Sequence, residues 1–166
     1  MFDVLLQNEY AARVQDFRSY HSICRDIVTR WVFPLVPDAQ LLHDSTYVHT
    51  KRYSYREGGV QVARSAVVGE GVVLGRGSVV GEQSVLKRAI VGRDCVIGSG
   101  TSINESHIWS GAVIGNNVTI THSIICDKVV VADGVTIPRG CILSYGVRIG
   151  SGAQIPEFAR ISKWTS

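Results

Sequence analysis

Histidines are the side chains of this sequence best suited to general-base catalysis or to metal binding. His107 and His122 lie near the middle of the chain, and no third histidine follows them. A histidine zinc site needs three ligands that converge on one metal, so we predict no metal site. Glycine strings such as GEG and GRG lack the strand-to-helix context of a phosphate-binding loop. We therefore predict no catalytic residue, no cofactor and no metal ligand.

The sequence around these histidines contains a six-residue repeat, and the fold that the repeat forms must position their side chains. Val68, Leu74 and Val80 are six residues apart, and each is followed by glycine. An ordinary strand buries every second residue, so this period predicts a short strand, a corner and a repeat of the same unit. The aliphatic positions, which we call the anchors, are Val62, Val68, Leu74, Val80, Leu86, Val91, Ile97, Ile103, Ile108, Ile114, Ile120, Ile125, Val131, Ile137, Leu143, Ile149, Ile155 and Ile161.

Three such units would close one triangular coil of a solenoid. The pattern therefore predicts an all-β parallel β-helix of about six coils with inward anchors, and a small or β-branched residue four positions after most anchors. It resembles the left-handed hexapeptide β-helix, and the predicted hand rests on that resemblance.

Three of the spacings between anchors are five residues instead of six, and they recur every seventeen positions. Because one short turn falls in each coil, we expect all three on one side of the triangle. The same side should stack charged residues in a ladder with mostly alternating signs, which adjacent coils bring within contact distance. These residues are Glu70, Arg88, Glu105, His122, Arg139 and Glu157.

The residues before the repeat have a different composition. An apolar stripe at helical spacing runs from Phe17 to Trp31, and Pro34 and Pro37 are expected to stop the helix. We predict a helical connector over 1–34, an irregular linker over 35–59 and the β-helix over 60–166. The stripe must be buried against the open end or a side of the solenoid, and we favour a cap on the solenoid.

Composition indicates one soluble domain. The chain has 166 residues, a net charge of +3 and 45% hydrophobic residues. No apolar signal core or run of eighteen apolar residues occurs, so we expect a cytosolic protein without a membrane partner. The segment HTKRYSYREGG mixes bases with Tyr53 and Tyr55, a combination that can bind nucleic acid. A segment this short is more often a solvated connection, so we predict no direct nucleic-acid partner.

Trp109 stands where Gly92, Gly98 and Gly115 stand in other turns, next to an inward anchor and therefore outward. It is either covered by the helix or linker, or it anchors a protein interface, where tryptophan is enriched. We take Trp109, Tyr53 and Tyr55 as candidate partner-binding residues.

The whole arrangement resembles the middle of the epsilon subunit of eukaryotic translation initiation factor 2B. The stretches that carry the resemblance are NEYAARVQDFRSYHSICRDIVTRWVFPLVPD, KRYSYREGGVQVARSAVVGEGVVLG, HIWSGAVIG and HSIICDKVVVADGVTI. The resemblance implies a non-catalytic scaffold and docking domain of a guanine-nucleotide exchange factor. Its implied partners are the gamma subunit, other subunits of the complex and the substrate, initiation factor two.

Two enzyme classes share similar coils and remain as alternatives. Hexapeptide-repeat acyltransferases carry a loop that interrupts the coils and a catalytic histidine, and from Val62 to Trp164 we find no insertion. The C-terminal domain of a sugar-nucleotide pyrophosphorylase would follow a domain with a glycine-rich nucleotide loop, which this sequence does not contain.

Overall fold

Short strands and tight corners alternate along most of the chain. The computed structural model describes residues 10–39, 44 and 46–163. In these ranges, helix α1 spans Phe17–Val28, a 3-10 turn spans Pro37–Ala39, and nineteen strands of two or three residues follow. Residues 1–9 of the predicted connector and 164–166 of the predicted β-helix lie outside the described residues. Among the described residues, no helix is long and apolar enough to cross a membrane.

The strands form the three faces of a parallel β-helix of about six coils, which we call faces A, B and C. The first strand is an exception, because it pairs antiparallel with the second at the edge of face A. Face A contains β1 (Val48–His49), β2 (Tyr55–Arg56), β5 (Val73–Leu74), β8 (Ile90–Val91), β11 (His107–Ile108), β14 (Ile124–Ile125), β17 (Ile142–Leu143) and β19 (Arg160–Ile161). Face B contains β3 (Gln61–Val62), β6 (Val79–Val80), β9 (Val96–Ile97), β12 (Val113–Ile114), β15 (Val130–Val131) and β18 (Arg148–Ile149). Face C contains β4 (Val67–Val68), β7 (Val85–Lys87), β10 (Ser102–Asn104), β13 (Thr119–Thr121) and β16 (Thr136–Ile137).

The anchors stack in columns inside the coils. On face B, Ile97 pairs in parallel with Val80 of the preceding coil and Ile114 of the next. The fourteen anchors from Leu74 to Ile149 are buried, as predicted. Val62 and Val68 at one end, and Ile155 and Ile161 at the other, are only half-buried, because no further coil covers them.

Small residues fill the corners between the faces. Ser78, Ser84 and Thr101 are fully buried there. Their hydroxyl groups donate to the carbonyl oxygens of glycines in the next coil, at 2.7 to 2.8 Å. A buried hydroxyl without such a partner would cost free energy, so each corner places its serine or threonine within reach of a carbonyl.

The three short turns all lie at the corner between faces C and A, as predicted. Arg88, Glu105 and His122 occupy them with φ of 45°, 49° and 45°. Arg88 contacts Glu70 at 3.4 Å and Glu105 at 2.8 Å, and His122 contacts Glu105 at 3.2 Å. The predicted charge ladder is therefore confirmed along this corner.

Helix α1 begins at Phe17 because Asp16 caps its first turn. The Ser19 N–H donates to the Asp16 carboxylate at 2.8 Å, and the Asp16 N–H donates to Ser19 Oγ at 3.0 Å. This reciprocal pair satisfies two backbone donors that the helix leaves free. The helix ends at Val28, and Arg30 beyond it has φ of 65°.

The predicted apolar stripe was too long at its C-terminal end. Because Arg30 turns the chain out of the helix, Trp31 is not packed and is 81% exposed. Pro34 and Pro37 lie beyond the helix end and do not stop it.

Helix α1 lies along face A and does not cap the open end, which corrects the position we favoured. Val28 shares a buried cluster with Tyr55 and Val73, while the Phe17 and His122 ring centroids are 5.1 Å apart. Twelve residues of helix rise about 18 Å. This length matches about four coils at a strand spacing of about 4.8 Å.

The interval 35–59, predicted to be irregular, contains β1 and β2. Tyr55 pairs in parallel with Val73, so the first coil begins at Tyr55 and not at residue 60. The sequence repeat does not reveal this first coil, because Arg56 stands at the position that the aliphatic anchor Leu74 occupies in the next coil.

Candidate functional site

An apolar column on the outer side of face A lies beneath α1. The outward residues stack in register from coil to coil as Tyr55, Val73, Ile90, His107 and Ile124. An outer sheet face is normally polar when it meets water, and an apolar one needs a cover. The amphipathic helix α1 provides this cover. We therefore take the junction between α1 and face A as the candidate functional site.

Tyr55 belongs to this junction and not to the surface. Its side chain is 0% exposed, and its hydroxyl donates to the Val28 carbonyl oxygen at 2.9 Å. This contact satisfies one of the carbonyl groups that the end of α1 leaves free. Tyr55 was predicted to bind a partner, but α1 and the neighbouring coil bury it, so its side chain is not accessible to one in this arrangement.

Three histidines from three separate elements meet at the middle of the junction. His21 of α1 and His107 of β11 form a hydrogen bond of 3.0 Å between Nδ1 of the first and Nε2 of the second. The His21 ring lies 5.0 Å from the ring of His122 at the C–A corner, measured between centroids. Phe17 and Tyr20 of α1 pack against the same rings, with Tyr20 4.9 Å from His107.

Burial sets the protonation state of this cluster. His107 is 2% exposed, and its burial, followed by the nearby His21 and His122, lowers its pKa to about 4. Burial also lowers the pKa of His21, and His122 adds to the effect. His107 Nδ1 is buried and has no hydrogen-bond partner in the described part of the chain. His21 and His107 are therefore neutral at physiological pH.

His21 was missed in the sequence search. It lies four residues after Phe17 and three before Cys24, which is helical spacing on the apolar stripe. The third ring thus comes from the helix, before the repeat, and not from a residue after His122. His107 stacks between Ile90 and Ile124 on the outer side of face A, beneath α1.

The cluster does not form a metal site. Within the described residues, no group of three or more histidine, cysteine, aspartate or glutamate side chains is arranged to hold a metal ion. His107 and His21 bond to each other, and His122 Nδ1 contacts Glu105. His21 Nδ1, His107 Nε2 and His122 Nδ1 are thus each directed to these partners.

A cavity of about 230 Å³ lies beside the cluster, between α1 and face A. Its walls include His21, Cys24, Val28, Ile90 and His107. Burial raises the pKa of the Cys24 thiol, so the thiol stays protonated at neutral pH and is a poor nucleophile. The described walls offer neither an activated nucleophile nor a histidine paired with an orienting acid.

Trp109 lies at the edge of the junction. Tyr20 of α1 lies near its indole. Burial, and then Cys24, raise the pKa of Tyr20 to about 12, and the indole opposes this rise. The side chain of Trp109 nevertheless remains 39% exposed. Both expected roles of Trp109 therefore fit, since one edge contacts the helix and the rest remains accessible.

Tyr53 is separate from this edge. It is 48% exposed, has φ of 58° and helps to line the cavity beside α1. The structure thus brings Tyr55 and Trp109 against opposite ends of α1, near Val28 and Tyr20, and leaves Tyr53 at the surface.

Face B carries a second apolar column, which no described helix covers. Val79, Val96, Val113 and Val130 stack in register on its outer side. Val96 and Val113 are 43% and 39% exposed. The equivalent positions of face C include Ser102, Thr119 and Thr136, so the two open faces differ in polarity.

Comparison with known proteins identifies the family to which this β-helix belongs. The model of the EIF2B subunit epsilon LbH domain family matches residues 51–155, from the approach to β2 to the turn after β18. The chain belongs to this family. The family is one of left-handed β-helices, which confirms the predicted fold class and hand.

Two curated relatives agree with the family match. The translation initiation factor eIF2B subunit epsilon of Dictyostelium discoideum is 41% identical over 66 residues, which cover 40% of this chain and 9% of the relative. The protein of the same name from Schizosaccharomyces pombe is 39% identical over 62 residues, or 37% of this chain and 9% of the relative. The matches thus span about a tenth of the length of each relative and confirm the predicted resemblance.

Solved structures with the same coils include enzymes. A perosamine N-acetyltransferase variant from Caulobacter crescentus, solved with CoA and GDP-perosamine, superposes with a TM-score of 0.61. The alignment covers 64% of this chain and 51% of the acetyltransferase at 19% identity. This similarity shows a shared fold and nothing about a shared reaction.

Proposed function

We propose that this epsilon LbH domain is a non-catalytic scaffold and docking domain of eIF2B, the guanine-nucleotide exchange factor for translation initiation factor two. Its partners are the gamma subunit, the other subunits of the complex and the substrate factor, in the cytosol. The observation that carries the proposal is the family match over residues 51–155.

The architecture suits a scaffold. Each coil contacts only its neighbours through parallel strands and stacked anchors, as in other solenoids, so the domain presents long surfaces of fixed shape. Face A is covered by α1 within the same chain, whereas Trp109 and the valine column of face B remain accessible. These accessible apolar groups are the natural places for a protein partner.

The similarity to an acetyltransferase does not favour a second function. An acyltransferase of this fold requires a histidine base that reaches substrate. His107 is closed beneath α1, and His122 is engaged with Glu105. His122 is half-exposed and is oriented by Glu105, but Glu105 is shared with Arg88, and the described coils carry no inserted loop that could complete a substrate site.

Binding of the gamma subunit tests the proposal. Isotherms with purified gamma subunit are compared for the wild-type chain, Trp109→Ala and Tyr145→Ala. Tyr145 is a matched control, because it is an exposed aromatic residue, 60% accessible, at the corner between faces A and B. Loss of a central interface tryptophan typically costs about 2 kcal/mol or more, so Trp109→Ala should weaken binding about thirtyfold.

A nucleotide-release assay on the same chain completes the test. The chain alone should not accelerate GDP release from initiation factor two. Measurable acceleration, or no binding of the gamma subunit by the wild type, would overturn the proposal. Equal affinities of wild type and Trp109→Ala would assign Trp109 to packing against Tyr20 of α1.

A further inference from the structure

The contact between His21 and His107 joins the middle of α1 to the β-helix. Its nitrogen atoms, Nδ1 of His21 and Nε2 of His107, are 3.0 Å apart. One nitrogen must donate and the other must accept, so the bond requires at least one neutral ring. If both rings carry a second proton, two donors face each other and the bond is lost. We propose that this pair is a pH-sensitive latch, which holds α1 on face A at neutral pH and releases it on acidification.

The surroundings of His107 make its protonation costly while the helix is docked. The side chain is 2% exposed, and the described groups that face it are His21 and Tyr20 from α1 and His122 from the C–A corner. None of them is a carboxylate, and Glu70, which lines the cavity beside His107, pairs with Arg88 at 3.4 Å. A positive charge on His107 would therefore be buried next to other groups that can become positive.

The groups around His21 are mostly cationic as well. His122 and Arg88 at the C–A corner and Arg25 on α1 disfavour its protonation, and Glu105 favours it. Glu105 already contacts His122 at 3.2 Å and Arg88 at 2.8 Å. Its single negative charge is thus shared, and it partly compensates a proton on His122 but does not reach His107.

The sign of the pH dependence follows from these positions. The pKa of His107 is about 4 with the helix docked, against 6.5 for a free side chain. A lowered histidine pKa means that docking is fully stable above pH 6.5 and weakens as the pH falls toward 4. From His107 alone, the docking equilibrium should fall about tenfold between pH 7.5 and 5.5, and about thirtyfold by pH 5.

Release of the latch would expose what the helix covers. The outer column of face A contains Tyr55 and Val73, which are 0% and 5% exposed, together with Ile90. Acidification would therefore convert a buried apolar face into an accessible one, while the anchors inside the coils remain packed. This inference does not depend on the proposed role of the domain.

Hydrogen exchange of the complete chain tests the latch. Protection factors, corrected for the intrinsic rate at each pH, are measured at pH 7.5 and 5.5 for the amides of residues 21–28 and for the strand amides of face B. In the wild type, the helix amides should lose about tenfold in protection while the face B amides change little. An equal loss in both sets would indicate general acid unfolding and would overturn the latch.

The decisive variant is His107→Ile, because its neighbours in the same column, Ile90 and Ile124, are already isoleucine. This variant should fold and should lose most of the pH dependence of helix protection. His122→Gln is the matched control and should keep it, because the proton on His122 is compensated by Glu105. His107→Gln, which is also neutral, replaces the isoleucine variant if circular dichroism shows that the latter is misfolded. A tenfold loss that persists in the neutral variant, or no loss in the wild type, would refute the proposal.

Discussion

Arg93 and Glu57 form an ion pair with two hydrogen bonds, which links the first coil to the third. Arg93 Nη2 lies 2.7 Å from Glu57 Oε1, and Arg93 Nε lies 3.0 Å from Glu57 Oε2. The Arg76 N–H also donates to Glu57, and Arg93 donates to the Asp44 carbonyl oxygen at 2.8 Å. The Glu57 side chain is 0% exposed, so its charge depends on these donors.

We expect this pair to give the domain an acid-sensitive stability. Burial alone would raise the pKa of Glu57, but the hydrogen bonds from Arg93 and from the Arg76 N–H lower it below its ordinary value of 4.5. Because the pKa is lowered in the folded state, the stabilisation is present above pH 4.5 and is lost as the pH falls below it. Glu57→Gln should lower the melting temperature by several degrees at pH 7 and reduce the slope of stability between pH 4.5 and 3.

Thermal unfolding of wild type and variant as a function of pH measures both effects. Glu157→Gln is the control, because Glu157 also pairs with an arginine, Arg139, but its side chain is 51% exposed. An exposed pair contributes little, so this change should leave the melting temperature within about a degree. Equal effects of the two substitutions would contradict the role given to Glu57.

Neighbouring coils approach so closely at some glycines that a larger residue should be destabilising there, whereas other glycines should tolerate substitution. A Cβ added at Gly98 would lie 2.5 Å from the carbonyl carbon of Gly115, whereas nothing lies within 4 Å of a Cβ at Gly150. Both glycines directly follow a face B anchor, and neither has a positive φ. Gly98→Ala should therefore destabilise the chain by about 1 to 3 kcal/mol, by analogy with overpacking, and Gly150→Ala should not. Denaturant unfolding compares the two, and a stable Gly98→Ala variant would show that the coils can separate at this point.

The spacing of side chains along the sequence was sufficient to predict the β-helix. Each anchor, such as Ile97, stacks on the equivalent anchors of the coils before and after it. One repeat period therefore determines which residues are buried, how the strands pair and where the short turns lie. The charge ladder at the C–A corner follows from the same arithmetic, since Arg88 and Glu105 are one coil apart. Local repetition is a strong predictor because each coil repeats the same contacts.

The junction with α1 could not be predicted in this way, because it depends on contacts between segments that do not repeat. The end of the helix is set by the backbone of Arg30, which apolar spacing does not reveal. Tyr55 and Arg56 belong to the first coil but lack the aliphatic signal of an anchor. The meeting of His21 with His107 joins residues 86 positions apart and requires the docked helix.

The hydroxyl of Tyr55 should contribute to docking of α1. It donates to the Val28 carbonyl oxygen in a buried site, and its removal leaves that acceptor without this donor. Tyr55→Phe should cost about 1 kcal/mol in the free energy of unfolding. Tyr53→Phe should be neutral, because Tyr53 is 48% exposed and keeps its access to water. Denaturant titrations of both variants measure the difference, and equal stabilities would remove this hydrogen bond from the energetics of the junction.

Adjacent residues of one strand should respond in opposite ways to the same substitution. Ile114 is 1% exposed and points into the coils, while Val113 is 39% exposed on the outer side of face B. An aspartate at position 114 would bury an unpaired charge, which is very costly, so Ile114→Asp should not fold. Val113→Asp should fold with nearly the stability of the wild type, because its carboxylate remains in water.

Ile114→Ala extends the comparison without a charge and should cost about 3 kcal/mol through lost burial and the cavity left behind. Circular dichroism and thermal unfolding of the three variants decide the matter, since a soluble Ile114→Asp variant with the melting temperature of the wild type would show that the register of the coils is wrong.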